Sequence, residues 1–352
     1  MSTFTLHTSD GVPASPARVE AGERTPLRIG VVQHAWHPHH ETLVAQLDEA
    51  IGLAAEAGAR IVFLPELTLS RYPADGLPTG RADVIAEPLL DGPTVQFARA
   101  AAARYGVLVH ASLYESTGDA DGRGLNTAVI VDPDGSVVAR TSKLHIPVTA
   151  GYYEDRYFRA APAAGREAIA GDVATDPYPV YAPQALGGAR LGLPTCWDEW
   201  FPEVARAYAL GGADLVVYPT AIGSEPDHPG FDTRPLWQHV IVGNGIANGL
   251  FMVAPNRIGS ETRPDGTPGN TFYGSSFISD PYGRILAQAG RDEQAVLVAD
   301  LELEQRQDWL TLFPFLRTRR PDTYAALVAP TGDDPVASPA VSPAMTGAAV
   351  SA

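Results

Sequence analysis

The sequence predicts an α/β fold in which mixed β-sheets are covered by helices. Three observations predict it. Apolar strand-like runs alternate with helical stretches, Pro/Asp/Gly turns join short runs into hairpins, and no Pro/Gly/Ser-rich linker divides the body, which runs over residues 27–327. Two such sheets packed face to face would bury every strand. We therefore expect one domain, preceded by a flexible polar lead (1–26) and followed by a disordered Pro/Ala/Ser/Gly tail (328–352).

The elements follow in order. Residues 28–34 (RIGVVQH) read as a strand, and 41–57 as a helix, with Leu43, Leu47, Ile51 and Ala54 at helical spacing. Residues 60–64 (RIVFL) form a second strand, ending at Pro65-Glu66. Pro93, a favoured first-turn residue, opens a helix to Tyr105, and 107–114 is a third strand. Runs 126–132 and 136–140 make a hairpin about Pro133-Asp134-Gly135. A second hairpin joins 272–279 to 284–288 about Asp280-Pro281-Tyr282-Gly283. Between the hairpins lie strand 189–195, helix 200–210, strand 214–219, helix 234–248 and strand 250–255. The apolar run Trp309–Phe315 reads as core, or as part of an interface between copies.

Composition narrows the function. Of 352 residues, 45% are hydrophobic and 19% charged, which excludes a wholly disordered chain. The formal net charge of −16 argues against nucleic-acid binding, which relies on Lys and Arg at phosphates. The start lacks an apolar signal-like core, and no run reaches the roughly 18 apolar residues of a membrane helix, so we expect a cytoplasmic protein with no membrane partner. The single cysteine forms no internal disulfide and cannot make a zinc site alone.

Three reactive residues stand where apolar strands end: Glu66 after IVFLP, Lys143 after the first hairpin, and Cys196 after LGLPT. In sheets covered by helices, such ends point into the crevice where ligands bind. The set is chemically sufficient. A carboxylate in a dry pocket can take the thiol proton, and a fixed positive charge can stabilise an oxyanion. Cys196, between a strand and a helix, gains thiolate character from the helix N-terminus, and the Trp197 N–H is a second oxyanion donor. Spacing alone leaves a solvated Glu, a surface Lys and an inert core Cys as alternatives.

The local motifs go further. Leu64-Pro65-Glu66, Lys143-Leu144-His145-Ile146-Pro147 and Cys196-Trp197-Asp198 resemble, in the same order, the Glu, Lys and Cys signatures of the nitrilase superfamily of carbon–nitrogen hydrolases. The resemblance covers nearly the whole body. It implies a four-layer αββα sandwich, a Glu–Lys–Cys catalytic set and a second glutamate that orients Lys143 and the substrate, matched here to Glu115 in Ser112-Leu113-Tyr114-Glu115. It also implies a homo-oligomer built on a dimer, a small amide or ureido substrate, and no metal or organic cofactor.

Within the superfamily, Gly151–Glu154 with Tyr157-Phe158, CWDEWFPEVAR from Cys196, YPTAIGSEP from Tyr218 and Asn256–Gly259 look most like the N-carbamoylputrescine amidase branch, which converts a ureido group to an amine, carbon dioxide and ammonia. Two departures pull in opposite directions. Arg71, in the loop that carries Tyr72 after the base, would suit a substrate carboxylate. Glu199, where the branch commonly has Gln, would favour a cation. Tyr152, Tyr153 and Trp197 are candidate pocket walls, Trp200 and Phe201 candidate core, and His145 a structural histidine or a helper in proton transfer. An aliphatic amidase, a nitrilase or an N-carbamoyl amino acid hydrolase would use the same residues, and a catalytically silent binding module is the alternative of another class.

Overall fold

The computed structural model describes residues 3–20, 22–163 and 177–329. Fifteen strands and five α-helices are present among them: β1 Thr5–Thr8, β2 Leu27–Ala35, α1 His40–Glu56, β3 Ile61–Phe63, α2 Pro93–Tyr105, β4 Leu108–Glu115, β5 Leu125–Val131, β6 Val137–Ser142, β7 Val180–Tyr181, β8 Leu191–Gly192, α3 Pro202–Leu210, β9 Leu215–Val217, α4 Arg234–Asn248, β10 Phe251–Ala254, β11 Arg257–Thr262, β12 Pro268–Tyr273, β13 Phe277–Ser279, β14 Ile285–Gln288, β15 Ala295–Leu301 and α5 Glu304–Leu312. Helices α2 and α4 begin and end where the sequence predicts. Each carries Pro in its first turn and is closed by a left-handed glycine, Gly106 (φ 67°) and Gly249 (φ 63°).

The strands build two sheets. The larger runs β1-β15-β2-β3-β4-β5-β6, with β11 pairing in parallel with the end of β2 and β12 beside β11; the smaller runs β14-β13-β10-β9-β8-β7. Both are mixed: β2, β3 and β4 are parallel in one, and β8, β9 and β10 in the other. Strand alternation sorts the side chains by face. In the large sheet Val32, Val62, Val109 and Val129 meet α1 and α2. Their neighbours Val31, Phe63, Leu108 and Ile130 meet Leu191, Val217 and Val253 of the small sheet. Helices α3 and α4 cover the small sheet's other face; a Cβ on Gly245 of α4 would fall 2.7 Å from Met252 of β10. The order is helix, sheet, sheet, helix, the αββα sandwich expected.

Four expectations are corrected. The described part of the lead is tied down, because β1 pairs in parallel with β15 and Arg18 pairs with Asp308 of α5. The run 272–279 is two strands in different sheets, because Gly274 (φ 54°) and Ser275 (φ 60°) turn the chain between β12 and β13. The run 309–315 is not core throughout: α5 ends at Leu312, and Leu312 and Phe313 are 57% and 52% exposed. The unit that carries both sheets ends at Phe313, short of the predicted 327, and the described residues from Pro314 onward belong to a separate unit containing two 3-10 turns. Of the predicted disordered tail, residues 330–352 lie outside the described residues. No helix among the described residues is long and apolar enough to cross a membrane.

Candidate active site

Glu66 leaves the end of β3 on a sharp loop. Leu67 takes a left-handed conformation (φ 51°), its N–H donates to Ser112 Oγ at 3.0 Å, and Thr68 N–H donates to Ser112 O at 2.8 Å. A fully buried guanidinium completes the loop. Arg257 donates to Glu66 O at 3.1 and 2.9 Å, to Leu67 O, to Ser70 O at 2.7 Å and to Glu261 at 2.6 Å. Five hydrogen bonds to three backbone carbonyls and one carboxylate thus hold the turn that aims Glu66 inward, a role the sequence did not reveal for Arg257. The Glu66 carboxylate is buried and saturated with donors: Lys143 Nζ at 3.0 Å and Asn126 Nδ2 at 2.7 Å on one oxygen, Ala221 N–H at 2.9 Å on the other.

Lys143, one residue past β6, is fully buried. Besides Glu66 it donates to Glu154 at 2.7 Å, and Glu154 also accepts from Tyr72 OH at 2.9 Å. Glu154, and not Glu115, is therefore the second carboxylate on the lysine. Glu115 instead accepts from Arg140 at 2.6 Å and Thr127 at 2.6 Å. The reason is strand phase. Asn126, which reaches Glu66, and Thr127, which reaches Glu115, are consecutive on β5 and so point to opposite faces. Glu115 lies with Leu113 and Val129 on the face covered by helices, the wrong side of the sheet for Lys143.

Cys196 follows β8 and sits at φ 42°, a left-handed conformation uncommon outside glycine. Its N–H donates to Pro219 O at 3.1 Å, and a 3-10 turn runs Cys196–Trp200 before α3 begins at Pro202. The expected helix start at 200 is thus two elements. Asp198 braces the turn by accepting Thr195 N–H at 3.0 Å.

The charges are interdependent. Burial pushes the Cys196 thiol well above its ordinary pKa; Glu66 reinforces this and Lys143 opposes it, so the resting sulfur carries its proton. Burial disfavours the Lys143 ammonium, but Glu154 and Glu66 outweigh it and hold the pKa well above the usual lysine range. Glu154 is pushed up to about 7 by burial, against the pull of Lys143 and with the push of Glu66.

The predicted substrate contacts divide. Arg71 is already committed within the protein: it donates to Thr262 O at 2.7 Å and Tyr72 O at 2.8 Å and pairs with Asp75. Tyr72 is buried and lies edge-on to Tyr152, which accepts Gly223 N–H at 3.2 Å. Tyr153 and Trp197 are half-buried, and the Trp197 ring lies 6.3 Å from that of Trp200. Phe201 is half-buried and stacks on His145. Glu199 is fully enclosed, and burial raises its pKa well above the carboxylate range, with Trp237 as its polar neighbour. Arg71 and Glu199, the two departures expected to read the substrate's far end, are both absorbed by the protein.

Comparison with known proteins gives the arrangement a context. The model of the Carbon-nitrogen hydrolase family matches residues 28–310. The citrullinase of Francisella tularensis is 34% identical over 86% of this chain and 98% of its own length. The N-carbamoylputrescine amidase of Solanum tuberosum is 36% identical over 88% of this chain and 97% of its own. A carbon-nitrogen hydrolase from Helicobacter pylori G27 superimposes with a TM-score of 0.75 at 31% identity, over 86% of this chain and 98% of that one.

Proposed function

The chain belongs to the carbon–nitrogen hydrolase family, and from that premise we propose that it hydrolyses the terminal ureido group of an N-carbamoyl amine, giving amine, carbon dioxide and ammonia. The observation that carries this reading is the buried Lys143 held between Glu66 and Glu154 within electrostatic reach of Cys196. A lysine so fixed offers a full positive charge where an oxyanion develops, in surroundings from which water is excluded.

In the proposed sequence Cys196 Sγ attacks the ureido carbon while its proton passes to Glu66. Lys143 and the Trp197 N–H stabilise the tetrahedral oxyanion. Glu66 returns the proton to the departing nitrogen, leaving a thioester-level acyl-enzyme. Glu66 then takes a proton from water as the water attacks the same carbon. The C–S bond breaks, the thiol recovers its proton, and the carbamic acid released decomposes to carbon dioxide and amine or ammonia. Because the thiol rests protonated, proton transfer accompanies attack rather than preceding it.

The ureido choice is supported by relatives named citrullinase and N-carbamoylputrescine amidase. The commitment of Arg71 to Asp75 and two carbonyls removes the candidate receptor for a substrate carboxylate, which favours a carbamoyl-diamine over a carbamoyl-amino acid and points toward polyamine metabolism. Both substrate types yield carbon dioxide with ammonia, whereas a simple amide or nitrile yields ammonia alone. A panel of carbamoyl-diamines, carbamoyl-amino acids, amides and nitriles, read for both gases, tests the proposal. Cys196→Ala should abolish turnover with the fold intact, and near-normal hydrolysis by that variant refutes the mechanism. The half-exposed apolar residues Leu210, Leu236 and Ile246 on α3 and α4 support a dimer, which sedimentation would detect.

A further inference from the structure

Lys143 follows a strand of the large sheet and Cys196 a strand of the small one, so their separation depends on how the two sheets are held at this end. Apolar packing between sheets is non-directional and sets spacing only loosely. A polar link would set it closely, and there is one. Asp198 Oδ1 accepts both the backbone N–H of His145, at 3.0 Å, and its ring Nδ1, at 2.7 Å. Its other oxygen accepts Thr195 N–H at 3.0 Å, at the base of the cysteine turn. His145 lies two residues after Lys143, and Asp198 two residues after Cys196.

We propose that His145 and Asp198 form a positioning pair that ties the lysine segment to the nucleophile turn and fixes Lys143 relative to Cys196 during hydrolysis. Neither residue touches the reacting atoms in this role. Three features support it. Asp198 is 1% exposed, so its carboxylate exchanges little with water and its three donors are its anchors. The Nδ1 bond to a carboxylate requires the proton on Nδ1, which defines the tautomer. The ring is also stacked on Phe201, with centroids 3.8 Å apart and planes at 15°, so its orientation is set from a second side by the residue that leads into α3. The bond from His145 N–H to Asp198 is independent of side-chain identity, whereas the Nδ1 bond and the stacking are not. The pair can therefore be dissected.

The inference rests on the reading that Lys143 and Cys196 act on one substrate carbon, and the test separates the two. Wild type, Cys196→Ala, His145→Ala and His145→Asn are compared on whichever ureido or amide substrate the wild type turns over. Asn places an amide N–H near the position of Nδ1 but removes the ring. His145→Ala is expected to lower kcat on the order of 10- to 100-fold, the usual cost of misplacing a catalytic group by about an ångström, with KM changed less than about threefold. His145→Asn should recover most of that loss. The thermal midpoint should not rank the variants as kcat does. An unchanged kcat in His145→Ala overturns the proposal. So does equal impairment of the Ala and Asn variants, which would assign the effect to stacking on Phe201. Where His145→Ala does not fold, Asp198→Asn in full-length protein takes its place: it keeps the side chain's shape but offers one acceptor oxygen instead of two, and normal kcat there refutes the pair. Residual turnover by Cys196→Ala, in contrast, refutes the nucleophile and not the tie.

Discussion

The two sheets contribute to the site in different ways. The large sheet supplies Glu66 and Lys143, and the segment leaving β6 supplies Glu154. Each of these side chains is held by partners of opposite charge or by backbone donors. The small sheet supplies Cys196, which is held by its backbone: a left-handed φ, one N–H bond to Pro219 and the turn that Asp198 braces. Beneath that turn lie buried polar groups with weak protein partnerships, including Glu199, Tyr218 and the indole of Trp237. The charged half of the machinery is thus fixed by electrostatics and the nucleophile by backbone geometry. Removing a charge should hurt the first half far more than the second.

The sharpest test is Lys143→Met. It leaves Glu66 and Glu154 facing each other in a buried site with their shared cation gone. Breaking a buried ion pair from one side costs about 3–5 kcal/mol. We expect that loss in denaturant unfolding, together with turnover below detection, and a stable Met variant would show that the carboxylates are not held through the lysine. Next in size is a paired comparison within the large sheet. Glu154→Gln should lower kcat by roughly 100-fold, the scale of losing one positioned charge contact, while Glu115→Gln should stay within about threefold because Glu115 serves Arg140 on the far face. The pH profiles should separate as well. Glu154 titrates at about 7, so the Lys143–Glu154 ion pair forms as pH rises through that value. Wild-type kcat should climb across it and the Gln variant should not. Equal effects of the two substitutions would return Glu115 to the site.

That comparison also marks what the sequence disclosed. Glu66, Lys143 and Cys196 were candidates because each follows a strand-like run, but that position left ordinary structural roles open, and it was the local motifs LPE, KLHIP and CWD that singled them out. Helices α2 and α4 were legible because proline and glycine mark both ends. Glu115 was misassigned by one residue of strand phase, which a period of two makes decisive: Asn126 and Thr127 are neighbours in the chain and on opposite faces of the sheet. Glu154 stood within a stretch noted for its resemblance, but its contact with Lys143 was hidden because it follows a loop, where no periodicity says which way a side chain points. Arg257 was hidden for another reason: its partners Glu66, Leu67 and Ser70 lie about 190 residues away in the chain. β15 and the split of 272–279 needed the sheet itself, since strand pairing over such separations leaves little local trace. Arg71 and Glu199 were noticed as departures, but whether a charge faces substrate or protein depends on partners that spacing does not reveal.

The smallest effect, and the one that sharpens the contrast most, is expected at Glu199. Its carboxyl is enclosed and its folded pKa is raised by burial, so the native protein holds a proton there that the unfolded chain releases above the ordinary range near 4.5. The unfolded state then binds fewer protons than the native state, and this group makes stability fall as pH rises from about 4.5 toward its folded pKa. Gln cannot ionise and removes that dependence. At pH 5 Glu199→Gln should cost about 1–3 kcal/mol, because its extra N–H donor is buried without a partner. The deficit should shrink steadily toward pH 8, read from denaturant midpoints across that range. Turnover should remain within about threefold, since burial keeps this acid neutral and a neutral group adds little to the field at the nucleophile three residues away. A collapse in kcat with the fold intact, or a KM that rises selectively for cationic substrates, would mean that the carboxyl opens to the substrate during turnover. The small sheet would then contribute a charge as well as a turn.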